Sequence, residues 1–134
     1  MSAINQMKLL VSLAQIDGYV AEREQNYIRN IGLANNINRS EIDLLFERNH
    51  QLVVPEDLTE DERFNYIFSL VQLMKIDERM YKEEMMFCST IASQLGYDQE
   101  VMFDLMLHVK AAAMKDDEIQ SLRELTKVYL AKKN

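Results

Sequence analysis

Proline and glycine are nearly missing from this chain: one and three residues among 134. An average chain carries about 12% of the two together. Sandwiches and barrels turn every ten residues or so and draw on both residues to do it, so an all-β architecture is excluded. Cysteine occurs once, at Cys88, which rules out an internal disulfide and any multi-cysteine zinc site. No apolar run approaches the ~18 residues of a membrane span. No basic stretch followed by an apolar one opens the chain, so no secretory signal is expected, and a reducing cytoplasm is the expected location. Basic charge is also short: 15 Lys and Arg against 22 Asp and Glu leave a net charge of −7. Phosphate backbones and anionic lipids reward clustered Lys and Arg, which disfavours nucleic acid and membrane partners. Cations and basic protein surfaces are what an acidic domain attracts.

What is present is hydrophobic and helical. Apolar residues make up 48% of the chain, enough for a real core and too many for disorder. The length fits one domain over residues 1–134. Laid over itself at an offset of 60, the chain repeats without a gap. Leu10/Leu70, Val11/Val71, Leu13/Leu73, Ile16/Ile76, Asp17/Asp77, Glu24/Glu84, Ile31/Ile91 and Leu45/Leu105 coincide. Val20/Met80, Tyr27/Phe87, Ile28/Cys88, Ile42/Met102 and Phe46/Met106 match in character. The expected fold is therefore an all-α, compact bundle of about seven helices with an internal pseudo-twofold duplication, its copies near 1–50 and 60–115.

Each copy begins with a helix that is apolar nearly all round. Leu9–Ile16 is interrupted by Ser12 and Gln15, and Leu70–Ile76 by Gln72 and Lys75 at the equivalent places. Such helices belong in the middle of a bundle. A short break at Asp17-Gly18-Tyr19 or Asp77-Glu78-Arg79 follows, then an amphipathic helix with Glu24 or Glu84 on its apolar stripe. Asn38-Arg39-Ser40-Glu41 caps a third helix running through Phe46. Thr59-Glu60-Asp61-Glu62 is a capping box for the fourth. Gly96 marks a helix end, Asp98 caps a sixth helix reaching about Met114, and Asp116 or Asp117 caps a last one to about Lys132.

The chemistry-bearing element is the repeated turn, Asp17-Gly18-Tyr19-Val20-Ala21-Glu22-Arg23-Glu24 and Asp77-Glu78-Arg79-Met80-Tyr81-Lys82-Glu83-Glu84. Acid, glycine and a second acid seven positions on outline the back half of a calcium loop. An EF-hand also needs carboxylates two and four residues before the first Asp. Gln15 and Leu13, or Lys75 and Leu73, stand there, so neither copy is an EF-hand.

"LAQIDGYVAEREQNYI" (13–28) and its echo "LMKIDERMYKEEMMF" (73–87) resemble the tellurite-resistance TerB-like family, and the duplicated helical layout extends the likeness over nearly the whole chain. The resemblance implies a compact helical bundle linked to stress and metal-oxyanion resistance. It also implies a divalent-cation site at Asp17 and Glu24, then at Asp77 and Glu84. The second copy departs from the pattern at Glu78, where the glycine is lost. A structural alternative stands beside this: an Asp ending one helix and a Glu one turn into the next can satisfy free backbone N–H groups and stitch an αα-hairpin.

Other features carry two readings each. The five acids from Glu56 to Glu62 suit a helix start or a basic partner. His108, one turn after Asp104, reads as a surface pair rather than a metal ligand. Cys88 is a small core residue. Seven of nine methionines fall from Met74 onward, as core filler or binding surface. Met86 lies off its helix's stripe, and Phe103, Leu107 and Met114 lie opposite Met102, Leu105 and Val109. One of those faces is a candidate groove for a protein partner. Three glycines build no phosphate loop, and there is no nucleophile elbow and no His pair at metal spacing, so catalysis and a required cofactor are not expected. The expected function is a non-enzymatic binding or scaffold module with a weak divalent-cation site. The alternative is an interaction domain whose acidic turns only stabilise the fold.

Overall fold

The computed structural model describes residues 2–16, 18, 20–47, 52–76 and 82–130. Among them are seven α-helices and no extended strand: α1 Ser2–Ala14, α2 Glu22–Ala34, α3 Arg39–Leu45, α4 Glu60–Ile76, α5 Lys82–Gln94, α6 Val101–His108 and α7 Asp116–Thr126. A 3₁₀ turn, Lys127–Tyr129, follows α7. An isolated antiparallel bridge then ties Leu130 to Tyr97.

The two all-apolar helices sit at the centre, as their composition demands. α1 buries Met7, Leu9, Leu10, Val11, Leu13 and Ala14, and α4 is buried continuously from Ser69 to Met74. They make the most extensive helix–helix contact in the bundle. α2 and α3 pack on α1, and α5 and α6 pack on α4. α7 lies against α4 and α6, with the Arg123 guanidinium 5.1 Å over the Phe64 ring.

Helix boundaries follow the capping chemistry. Thr59 Oγ1 accepts the Glu62 N–H at 3.1 Å while a Glu62 carboxylate oxygen accepts the Thr59 N–H at 3.0 Å, a complete capping box on α4. Asn38 Oδ1 accepts the Glu41 N–H at 2.9 Å and opens α3.

α2 and α5 occupy corresponding stretches 60 residues apart, and both end in the same way. Ile37 N–H donates to Gly32 O and Asn36 N–H to Leu33 O; Tyr97 N–H donates to Ala92 O and Gly96 N–H to Ser93 O. These are two Schellman ends. Gly96 holds the left-handed residue at φ +94, and Asn36 does so at φ +64. A further pair of bonds shares the offset. Gln15 Nε2 donates to the Phe46 carbonyl at the end of α3, and Lys75 Nζ donates to the Met106 carbonyl in the last turn of α6. Each takes up a helix-end carbonyl that has no intrahelical partner.

Four boundaries differ from the sequence expectation. α6 stops at His108 rather than near Met114, and Val109 turns to extended backbone. The Gln72 amide, reaching out of α4, donates to Lys110 O at 3.0 Å and Ala112 O at 2.9 Å, carbonyls that a continuing helix would have used. Asp98 does not cap α6 but holds the Glu100 N–H at 3.0 Å in the turn before it. α7 starts one residue early, with Lys115 at the cap and Glu118 reaching back to its N–H at 3.0 Å. That helix ends at Thr126, where the 3₁₀ turn takes over. Lys132 lies outside the described residues.

Gly32 shows how tightly the first three helices meet. A Cβ there would lie 2.5 Å from Ile42 Cδ1 and 2.9 Å from both Ile42 Cγ1 and Met7 Cε. Gly32→Ala gains up to about 1 kcal/mol of helix propensity but overpacks a closed junction at a cost of about 1–3 kcal/mol. The net expected outcome is a loss on the order of 1 kcal/mol in denaturant unfolding. A stabilised variant would show that the junction relaxes freely.

Candidate functional site

The acidic turns are the candidate site, and each ends on a buried glutamate. α2 begins after Ala21, which has no side-chain acceptor to cap it. Glu24, in the first turn, supplies what Ala21 lacks: its carboxylate accepts the Ala21 N–H at 3.1 Å. The residue is only 3% exposed. The negative group also lies at the positive end of the α2 dipole. Glu84 holds the corresponding position in α5 and is 2% exposed. Both glutamates therefore lie on the inner faces of their helices, as the stripe pattern requires. Burying a carboxylate demands hydrogen-bonding or charge partners, since an isolated one is strongly disfavoured away from water.

Gly18, in the first turn, stands at φ +81, a conformation that strains any side chain. Its N–H donates to Gln15 O at 3.0 Å and closes the end of α1. Asp17 and Asp77, and with them Glu78 and Met80, lie outside the described residues. Among the described residues no three His, Cys, Asp or Glu side chains gather to hold a metal ion.

The negative charge at Glu84 reaches Cys88, one turn on. Cys88 is fully buried, and burial first and Glu84 second push its thiol up to about 12. It is a core residue with no nucleophilic character at neutral pH. His108 does not pair with the Asp104 carboxylate: its Nδ1 lies 2.8 Å from the Asp104 backbone carbonyl. The carboxylate takes the Tyr129 hydroxyl instead.

One polar network was invisible in the sequence. The Tyr27 hydroxyl donates to Gln72 Oε1 at 2.8 Å, and both Gln72 N–H groups go to the connection after α6. Beside it, Gln6 Nε2 donates to Ser69 Oγ at 3.0 Å, and Ser69 donates to Tyr66 O. These groups border an open recess of about 260 Å³ between α1, α2 and α4, also lined by Ile31, Asn35 and Phe68. Its central polar atoms are satisfied by one another, so it serves as a joint between helices. Only the interruption of an apolar helix by Gln72 hinted at it.

Of the two faces weighed on α6, Met102, Leu105 and Val109 form core, while Phe103 and Leu107 are 71% and 77% exposed. Met86 of α5 is 58% exposed and borders an open recess of about 320 Å³ with Leu52, Phe87 and Ile91. No helix among the described residues is long and apolar enough to cross a membrane. Compared with known protein families, with curated proteins and with solved structures, the chain matches none.

Two outcomes follow from the buried groups. Glu24→Ala leaves the Ala21 N–H without its acceptor and should cost about 1–3 kcal/mol, whereas Glu24→Gln keeps an acceptor oxygen and should cost less. Equal losses in thermal melts would show that charge, not the hydrogen bond, is what the position supplies. The second concerns alkaline pH. The Cys88 thiol stays protonated in the fold while the unfolded chain releases that proton above its ordinary value of 9.0. Its contribution is thus fully present below pH 9.0 and declines as pH rises toward about 12. The slope from this one group rises from about half of 1.4 kcal/mol per pH unit at pH 9 toward that limit as the unfolded thiol ionises. Cys88→Ala should flatten the fall between pH 9 and 10 in a series of urea melts.

Proposed function

We propose that the chain is a non-enzymatic binding or scaffold module of TerB-like type, acting in the cytoplasm in a stress response. Its two acidic inter-helix turns, Asp17 with Glu24 and Asp77 with Glu84, form a weak site for a divalent cation. The observation that carries this reading is the recurrence of one buried carboxylate at the same place in two helices, 60 residues apart. A helix start needs no buried acid to be capped, since an exposed Ser, Thr or Asn does so. Repeating the burial in a chain of net charge −7 fits a site that a cation neutralises. Two carboxylates per turn fall short of the 6–8 oxygens of a calcium shell, so water and backbone carbonyls complete it and affinity is on the order of 0.1–1 mM.

A second reading is favoured by the Glu24–Ala21 bond: the turns only hold the hairpins together, and the chain is a structural interaction domain meeting a protein partner.

Calorimetric titration with calcium, magnesium and zinc separates the two. The cation reading expects heat of binding at millimolar concentration and a raised melting temperature, both lost in Asp17→Asn/Asp77→Asn. The glycine in the first turn predicts that Asp17→Asn alone removes most of the effect. Neither heat nor stabilisation from any of the three ions leaves the hairpin reading standing and removes the cation.

A further inference from the structure

The exposed apolar residues of α5 and α6 are not demanded by the fold. At the positions 60 residues before Met86, Phe103 and Leu107 the chain carries Asn26, Asp43 and Glu47. Asp43 there is bound by Arg29 at 3.0 Å and lies 3.8 Å from Arg39. A polar side chain thus serves the same place in the other half of the bundle, yet α6 offers water a phenylalanine and a leucine one turn apart. Elsewhere among the described residues Leu33, Leu44 and Val53 are about half exposed, Leu52 and Leu125 less so, and Val128 of the 3₁₀ turn stands alone at 78%.

Charge is patterned on the same stretch. Between Lys82 and Lys110 there is neither Lys nor Arg, while Glu83, Glu84, Asp98, Glu100 and Asp104 are all acidic. Asp98 and Glu100 are exposed just before the Phe103–Leu107 ridge. Two apolar side chains at i and i+4, with the exposed carboxylates of Asp98 and Glu100 just before them and Lys75 and Lys110 at the far end of α6, form the complement of an amphipathic helix whose apolar stripe is flanked at its matching end by Lys or Arg. A second copy of this chain is a poor occupant, because it brings the same acids to the contact.

We propose that the exposed face of α6, with Phe103 and Leu107 at its centre, docks a basic amphipathic helix of a partner protein. The proposal rests on reading the chain as a binding module and is independent of the cation.

The test uses the whole chain and a fluorescein-labelled synthetic peptide of about five helical turns, with leucines at i, i+3, i+4 and i+7 spacing and lysines on both flanks. Anisotropy is read with EDTA present, so that failure of the cation site and failure of this face are seen separately. Binding that weakens with salt is expected, and a peptide of the same composition in scrambled order should bind at least about tenfold more weakly. Phe103→Asp/Leu107→Glu, which places the residues of the first half on α6, should reduce affinity about tenfold or more with an unchanged melting temperature. Leu33→Asp should leave affinity unchanged. The proposal is overturned if the double variant binds like the parent, if order in the peptide does not matter, or if no binding occurs. Sedimentation showing that the chain pairs with itself, and that Phe103→Asp abolishes the pairing, overturns the choice of partner.

Discussion

Two helices too apolar to face water have to face each other, and the contact of α1 with α4 arranges everything else. Each carries bulky aliphatic residues on more than one side, so covering one stripe leaves another exposed. α2 and α3 close over α1, and α5 and α6 close over α4. Fully burying a Leu, Ile, Val, Phe or Met side chain is worth about 1.5–3 kcal/mol, and eleven such side chains of the central pair are at most 1% exposed: Met7, Leu9, Leu10, Val11, Leu13, Phe64, Ile67, Leu70, Val71, Leu73 and Met74. Polar groups survive there only with partners. Gln72 spends both amide N–H groups on the connection after α6 and its oxygen on α2, and Ser69 both donates and accepts. The same bonds that satisfy Gln72 end α6 and fix the path to α7.

That dependence explains which features could be read from the sequence. The Asn38 and Thr59 caps, the Gly96 helix end and the central place of the two apolar helices rest on local chemistry, and all stand where the residues indicate. The end of α6 rests on an amide 38 residues away and could not be read from Lys110 or its neighbours. The end of α2 carries no glycine to mark it; Asn36 tolerates the left-handed region and does the same work there. Within the candidate site, the burial of Glu24 and Glu84 was legible because both fall on an apolar stripe. The Tyr27–Gln72 bond was not, since nothing in either helix names its partner.

The two halves share their buried positions and differ on their surfaces. Ile28 and Cys88, Gly32 and Ala92, Ile42 and Met102, and Leu45 and Leu105 are buried alike 60 residues apart. Asp43 and Phe103, or Glu47 and Leu107, share no chemistry at all. Packing constrains the first set, since a core at crystal-like density registers even a methylene. Nothing in the fold constrains the second. The change from ion-paired Asp43 to exposed Phe103 is of this kind, and Leu44 to Asp104 is its reverse on the same pair of helices.

Were a cation to bind as proposed, the buried glutamates would couple it to the fold itself. Glu24 already holds the Ala21 N–H, and a carboxylate has two oxygens, so one can stay on the backbone while the other turns to an ion. If an ion shared the turn in that way, the bond would persist and binding would add to stability in full. If it drew both oxygens away, the helix would lose a cap worth about 1 kcal/mol, and affinity would fall roughly fivefold. A site built on a structural carboxylate is thus kept weak by its own fold unless the ion accepts monodentate ligation.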